Sequence, residues 1–255
     1  MSQIANNNGL GLDGAQLGAF DAFGDFLLER SRYVNLTSIL DETGVVLKHF
    51  WDSLSLAVRV DRLAELYAAA RMPRLTGGCG INPSHTPDGA SNKKPPHAGL
   101  IDVGSGAGFP GIPLKILFGD ALNVVMIDAT RKKADFINGA CDLLGYGREG
   151  AAAHHIRAED AAKRPGFRGR FDFAAARALG ALPAILEYCV PFLKPGGRLI
   201  AMKGRRASAE NELALAAPAM ARLGCGLQKV VNYHIGVEVA GEPHERTLII
   251  IGKNK

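Results

Sequence analysis

Residues Leu100 to Gly111 read L-I-D-V-G-S-G-A-G-F-P-G. An apolar run of Leu100, Ile101 and Val103 carries an acid, Asp102, before its last position. Gly104, Gly106 and Gly108 follow at alternate places. A strand that turns sharply into a helix needs residues without a Cβ there, because the backbone bends and a ligand must approach it closely. Twenty-four positions after Gly104, a second apolar run, Val124 to Ile127, ends in Asp128. An acid at that spacing, at the tip of the second strand, suits the two hydroxyls of a ribose. The pattern predicts an adenosine-containing cofactor on a Rossmann-like sheet.

The spacing discriminates between cofactors. A dinucleotide fingerprint is G-x-G-x-x-G, with a pyrophosphate at the helix N-terminus. Here it is G-x-G-x-G, and Asp102 would repel a pyrophosphate while suiting a ligand with an ammonium and a sulfonium centre. That describes S-adenosylmethionine. A NAD-type oxidoreductase is the disfavoured alternative.

Further along, Phe171 to Ala174 reads as a fourth strand and His154-His155-Ile156 with Arg157 as a third. A helix is expected to end at Leu193, followed by a Pro195-Gly196-Gly197 turn and a strand over Leu199 to Met202. Leu227 to Ile235 and Arg246 to Gly252 read as an antiparallel hairpin around a turn at Gly241 to His244. Strands alternating with helical stretches imply parallel βαβ units.

Outside one insert, from about residue 25 to 253, the chain resembles the bacterial 16S rRNA guanine-N7 methyltransferase family, also called glucose-inhibited division protein B. The matching residues are Asn35-Leu36-Thr37; His49, Asp52, Ser53 and Leu54; Asp102 through Pro113; and Asp128 with Lys132 and Lys133. Arg157-Ala158-Glu159, Ala176-Arg177-Ala178, Lys203-Gly204 and Glu245-Arg246 complete the series. The resemblance implies a class I S-adenosylmethionine-dependent methyltransferase: an α/β, Rossmann-like, mostly parallel seven-stranded sheet with an N-terminal helical cap. It implies methyl transfer to N7 of a guanine near the decoding region of 16S rRNA. Another RNA or a small molecule as acceptor is the alternative, and a non-catalytic RNA-binding module is disfavoured by the intact glycines and Asp128.

The resemblance also distributes roles. Asp102, Gly104, Gly106, Gly108 and Phe109 would hold the methionine part, Asp128 the ribose, and Ala158 and Glu159 the adenine. Arg177 would lie at the reacting centre and at the cofactor. Its guanidinium offers forked donors for a guanine edge or a phosphate; the competing reading is a structural ion pair, with Asp172 the nearest acid in sequence. Lys132, Lys133, Lys203, Arg205 and Arg206 are candidate RNA contacts. His49 reads equally as a cleft residue or a satisfied core histidine, and Asn35 belongs to the cap near the cleft.

At 255 residues, with 47% hydrophobic and 22% charged residues, the composition suits a soluble globular enzyme. No apolar run approaches the ~20 residues a membrane span needs, and Met1 to Asp13 lacks the basic and apolar regions of a secretory signal. A cytoplasmic monomer, away from membranes, is expected. The net charge of +5 is modest evidence for a polyanionic partner. Cys79, Cys141, Cys189 and Cys225 have no C-x-x-C spacing, and the last three sit among apolar residues as small core side chains. His154 and His155 face opposite ways on a strand, so no metal site is expected.

The expected organisation is a flexible tail over 1–13, a helical cap over 14–70, a Pro/Gly-rich mobile insert over 71–98 and the methyltransferase core over 99–255. Leu17, Phe20, Phe23, Phe26 and Leu27 form one apolar stripe, and Val45, Val46, His49, Phe50, Ser53, Leu54 and Leu56 suggest a second helix. The insert carries prolines at 73, 83, 87, 95 and 96 and no apolar periodicity. Its Lys93 and Lys94 read as a solvated loop.

Overall fold

Alternate residues of each central strand face opposite ways, and that simple periodicity sorts the core into two layers. The computed structural model describes residues 1, 5–6, 9–71, 97–235 and 244–255, apart from the side chains of 206–208. Most of the insert with Lys93 and Lys94, Cys79, the Arg206 side chain and residues 241–243 of the hairpin turn lie outside the described residues.

Helix α1 (Gly14–Ser31) leads to a short turn (Glu42–Gly44), a π-helical segment (Val45–Trp51), α2 (Asp52–Arg59) and α3 (Asp61–Arg71). The core then runs β1 (Ala98–Val103), α4 (Gly111–Phe118), β2 (Leu122–Asp128), α5 (Arg131–Leu143), β3 (Ala151–His155), α6 (Ala158–Ala161) and β4 (Phe171–Arg177). It ends with α7 (Leu182–Cys189), β5 (Leu193–Lys203), α8 (Arg206–Leu223), β6 (Cys225–Ile235) and β7 (His244–Lys253). The seven strands lie in the order β3-β2-β1-β4-β5-β7-β6. Only β7 runs against the others, pairing antiparallel with both neighbours. This is the class I methyltransferase sheet, and its switch point, where strand order reverses, lies between β1 and β4.

Leu100, Val124, Met126, Phe173, Ala175 and Ile200 pack on one face with the cap and with α4 and α5. Ile101, Val103, Ile127, Ala174, Ala176 and Leu199 pack on the other with α7 and α8. By the same alternation Asp102 and Arg177 point toward the cap face. Phe20 and Phe23 of α1 are fully buried, roughly 1.5–3 kcal/mol each, while Phe26 is half-buried and stacks on Phe136. Cys141, Cys189 and Cys225 are buried, as read from sequence. No described helix is long and apolar enough to cross a membrane.

Several boundaries differ from expectation. The third strand is Ala151–His155, its pairing with β2 ending where Asp128 faces His155 and Ile156 N donates to Asp128 O. The helix expected to reach Leu193 ends at Cys189; a 3-10 turn over Val190–Phe192 follows, and Leu193 opens β5. The Pro195-Gly196-Gly197 turn is a bulge inside β5, where the register with β4 shifts. The tail is anchored where it is described. Ala5 and Leu10 are buried, Gly11 O accepts from the Tyr67 hydroxyl, and Asp13 and Gln16 form a reciprocal capping box for α1.

Candidate active site

The glycine loop leaves β1 at the carboxyl edge of the sheet and is pinned there by its neighbour strand. Gly104 N and Ser105 N both donate to Ile127 O, at 2.9 and 3.2 Å. Gly104 has φ +69°, and a Cβ on it would come within 2.4 Å of Leu179 Cδ1. Gly106, at φ +60°, faces open space within 4 Å, so a ligand can approach its backbone directly. Asp128 Oδ2 accepts from Gly106 N (3.0 Å) and Oδ1 from Thr130 N (2.8 Å). The carboxylate therefore shapes the loop while keeping lone pairs for a diol, since an ionised carboxylate offers about four acceptor sites. A cavity of about 240 Å³ opens beside it, lined by Gly104, Asp128, Ala158, Glu159, Leu179 and Tyr188 among others. Its two acids, Asp128 and Glu159, outnumber its one cation, Arg157, and with the apolar walls they fit a nucleoside better than a phosphate.

A larger cavity of about 440 Å³ lies between the cap and the ends of β4 and β5. Asp102 lines neither of the two, in contrast to its expected place at the ligand. Its side chain is fully buried on the cap side of β1, with Oδ2 accepting from Gly111 N at 2.9 Å. Oδ1 has no hydrogen-bond partner among the described residues. Burial pushes its carboxyl up to about 7 against the bond from Gly111. Asp102 ties the loop to the start of α4.

Arg177 is the last residue of β4, and Ala178, at φ 53°, turns the chain sharply after it. A non-glycine residue held in that region is strained, and such strain clusters at ligand sites. Arg177 Nη1 donates to Lys48 O (3.1 Å) and pairs with Asp52 Oδ2 (3.5 Å). Its ion-pair partner is thus Asp52; Asp172, the partner suggested by sequence proximity, sits at the other end of β4 with Lys194 and Arg62. Arg177 Nη2 lies 3.1 Å from His49 Nδ1. A guanidinium can only donate, so Nδ1 accepts, and the proton on Nε2 goes to Thr37 Oγ1 at 2.8 Å. Burial first, and the Arg177 charge second, lower His49 to about 3. The imidazole is neutral and both nitrogens are engaged. It also stacks on Phe109, centroids 4.5 Å apart at 14°, and the Arg177 guanidinium sits 4.9 Å from the same ring.

Asp52 ties the arrangement together. It is buried, accepts from the Tyr233 hydroxyl (2.8 Å), and pairs with Arg246 Nε (3.5 Å) as well as Arg177. Burial pushes the Tyr233 phenol up, so it stays a donor. Motif reasoning gives no site role to Asp52, Tyr233, Ala178 or Glu212. One signal exists for Asp52: it is an acid inside H-F-W-D-S-L-S-L, every residue of which is buried, and a charge in such a run must be paired.

The candidate RNA contacts divide. Arg205 is exposed and lines the larger cavity, and Lys132 is exposed at the start of α5, with Lys133 beside it half-buried. Lys203 lines the cavity too, but its Nζ is held by Glu212 (2.6 Å) and Gly180 O (2.7 Å), so its charge is neutralised inside the fold. That corrects its reading as a free phosphate contact. Phe109 is buried under the cap instead of open to a ligand, and Asn35 is exposed and lines neither cavity. Among the described residues no cluster of His, Cys, Asp and Glu could hold a metal.

Residues 89–236 match the family model GidB, described as rRNA small subunit methyltransferase G. The chain is 35% identical over 250 residues to "Ribosomal RNA small subunit methyltransferase G" of Leuconostoc citreum, covering 98% of this chain and 88% of that one. It is 36% identical over 245 residues to the protein of the same name from an Exiguobacterium species (96% and 86% covered). For that of Halalkalibacterium halodurans the identity is 34% over 253 residues (99% and 89%).

Proposed function

The chain belongs to the rRNA small subunit methyltransferase G family, and from that premise we propose that it transfers a methyl group from S-adenosylmethionine to N7 of a guanine in 16S rRNA, near the decoding region. The methyl arrives already activated by the sulfonium charge. Gly104 and Gly106 take the methionine end, Asp128 the ribose, and Ala158 and Glu159 the adenine, in the cavity that Gly104, Asp128, Ala158 and Glu159 line.

One observation carries the choice of acceptor. Every acid and imidazole lining the larger cavity is engaged: Asp52 with Arg177, Arg246 and Tyr233; His49 with Arg177 and Thr37; Glu212 with Lys203 and Leu182 N. An exocyclic amine or a ribose hydroxyl must lose a proton in the reaction and benefits from a base. Guanine N7 has a free lone pair and no proton to lose. For such an acceptor the protein's work is positioning and exclusion of water. Arg177, fixed by the cap, directs its remaining N–H groups to guanine O6, because a hydrogen bond to N7 would occupy the lone pair that takes the methyl. Arg205 adds a phosphate contact at the cavity rim.

The test is product mapping. The protein is incubated with labelled S-adenosylmethionine and 16S rRNA, and the modified nucleoside is identified. N7 methylation fixes a positive charge on the base and opens the strand to reductive scission. The rate should show no steep acid limb between about pH 6 and 8. Label on an exocyclic amine, on ribose or only on a small molecule overturns the proposal.

A further inference from the structure

A third cavity, of about 360 Å³, lies between the C-terminal end of α1 and the first turns of α5, away from both sites above. Its apolar element is a pair of stacked rings, Phe26 and Phe136, with centroids 5.2 Å apart and planes at 16°. Gly139 allows this, since a methyl there would come within 3.3 Å of Phe26. Two cations flank the rings. The Arg30 guanidinium lies 5.1 Å from the centre of Phe26, and Lys132 lines the opposite helix. Both are exposed, and neither forms an ion pair among the described residues, although Asp135 shares the cavity.

Two cations a hundred residues apart in sequence thus converge on one aromatic patch. We propose that this cavity is a docking subsite for an unpaired nucleotide of the RNA substrate, its base laid against the half-buried Phe26, which the buried Phe136 backs, and its phosphates held by Arg30 and Lys132. The inference rests on the rRNA reading above and adds a second point of attachment to it.

The chemistry selects single-stranded RNA over other occupants. Aromatic rings bordered by free cations are the recognition set for splayed bases with flanking phosphates, where stacking tolerates any base. The Asp135 carboxylate accepts only, so it suits the N–H groups of a base edge and disfavours a bare run of phosphates. The patch is also coupled to the reacting centre: Phe136 touches Phe23, Phe23 touches Phe109, and Phe109 carries Arg177 on its face, at 6.4, 5.5 and 4.9 Å.

Arg30→Ala/Lys132→Ala and Phe26→Leu test this, with melting temperatures confirming that each folds. For the double variant the log–log salt slope of 16S rRNA binding should fall by roughly 0.7–0.9 per lost contact. Phe26→Leu should raise the KM for rRNA roughly tenfold, the loss falling on KM rather than kcat, with little change in salt slope. Ultraviolet cross-linking of the wild type to 16S rRNA should mark the peptides carrying Phe26 or Phe136. If the wild type methylates 16S rRNA while both variants keep its KM and slope, or cross-links avoid both peptides, this subsite is refuted and the functional reading stands. If the wild type neither binds nor methylates 16S rRNA, both fall.

Discussion

Replacing Asp52 by alanine should be among the most damaging single changes at the site. The Asp52 side chain is 3% exposed and faces Arg177, itself only 17% exposed, and Arg246 at 25%. Removing one partner of a buried pair leaves the other charge uncompensated, which costs about 3–5 kcal/mol. Both arginine contacts are 3.5 Å, longer than the ~2.7–2.9 Å of a full charge-assisted bond; only the Tyr233 hydroxyl, at 2.8 Å, is at full strength. The lower end, about 3 kcal/mol, is therefore expected. At roughly 2–4 °C per kcal/mol for a chain of this size, the melting temperature should fall by about 6–12 °C. Scanning calorimetry measures this directly. Arg177→Met in the Asp52→Ala background should then cost less than the sum of the singles, by roughly 0.5–3 kcal/mol, because the stranded guanidinium is gone. Additive losses, or an Asp52→Ala protein that melts like the wild type, would refute the claim that this carboxylate holds the cap to the sheet.

Other expectations follow from the same contacts. His49, lowered to about 3, binds no proton in the fold where the unfolded chain binds one, so its contribution is full above about pH 6.5 and is lost as pH falls toward 3. Asp102, raised to about 7, does the reverse: it keeps a proton the unfolded chain has released, and stability falls as pH rises from about 3.8 to 7. The two slopes oppose each other, so Asp102→Asn should make stability rise between about pH 4 and 6.5 by roughly 1.4 kcal/mol per pH unit more than in the wild type, read from urea titrations. A slope unchanged by the substitution would contradict the raised carboxyl. Asp128→Ala should weaken S-adenosylmethionine binding by about 1.5–3 kcal/mol per lost bond and also lower the melting temperature, since both oxygens already hold backbone N–H groups; unchanged affinity by calorimetry removes it from the ribose. Arg205→Ala should lower the salt slope of rRNA binding by roughly 0.7–0.9, whereas Lys203→Ala should leave the slope alone and destabilise the fold through Glu212.

Features encoded within a few neighbouring residues are legible in the amino-acid sequence. The three glycines demand positive φ, and they have it. The acid ending the second apolar run does stand at the carboxyl edge of β2, beside the loop. Alternating apolar runs mark the strands and the final hairpin, with errors of a few residues where a carbonyl or a bulge decides the boundary. Arg177 stands out by its motif, whereas its surroundings carry no local signature.

Those surroundings depend on partners far apart in the chain. Asp52 meets Arg177, Tyr233 and Arg246 only once the cap has packed on one face of the sheet. Local propensity does not encode such encounters; they follow from which side of each strand a residue faces and which helix covers that side. Lys203 reads as a free cation until α8 brings Glu212 against it. Arg30 and Lys132, a hundred residues apart, share a cavity only once α1 lies beside α5. Local pattern was enough for the fold, the glycine loop and the family. Packing between distant elements settled which charges are neutralised inside the protein and which remain on its surface, because burial and pairing are properties of neighbours, and the neighbours are set by the fold.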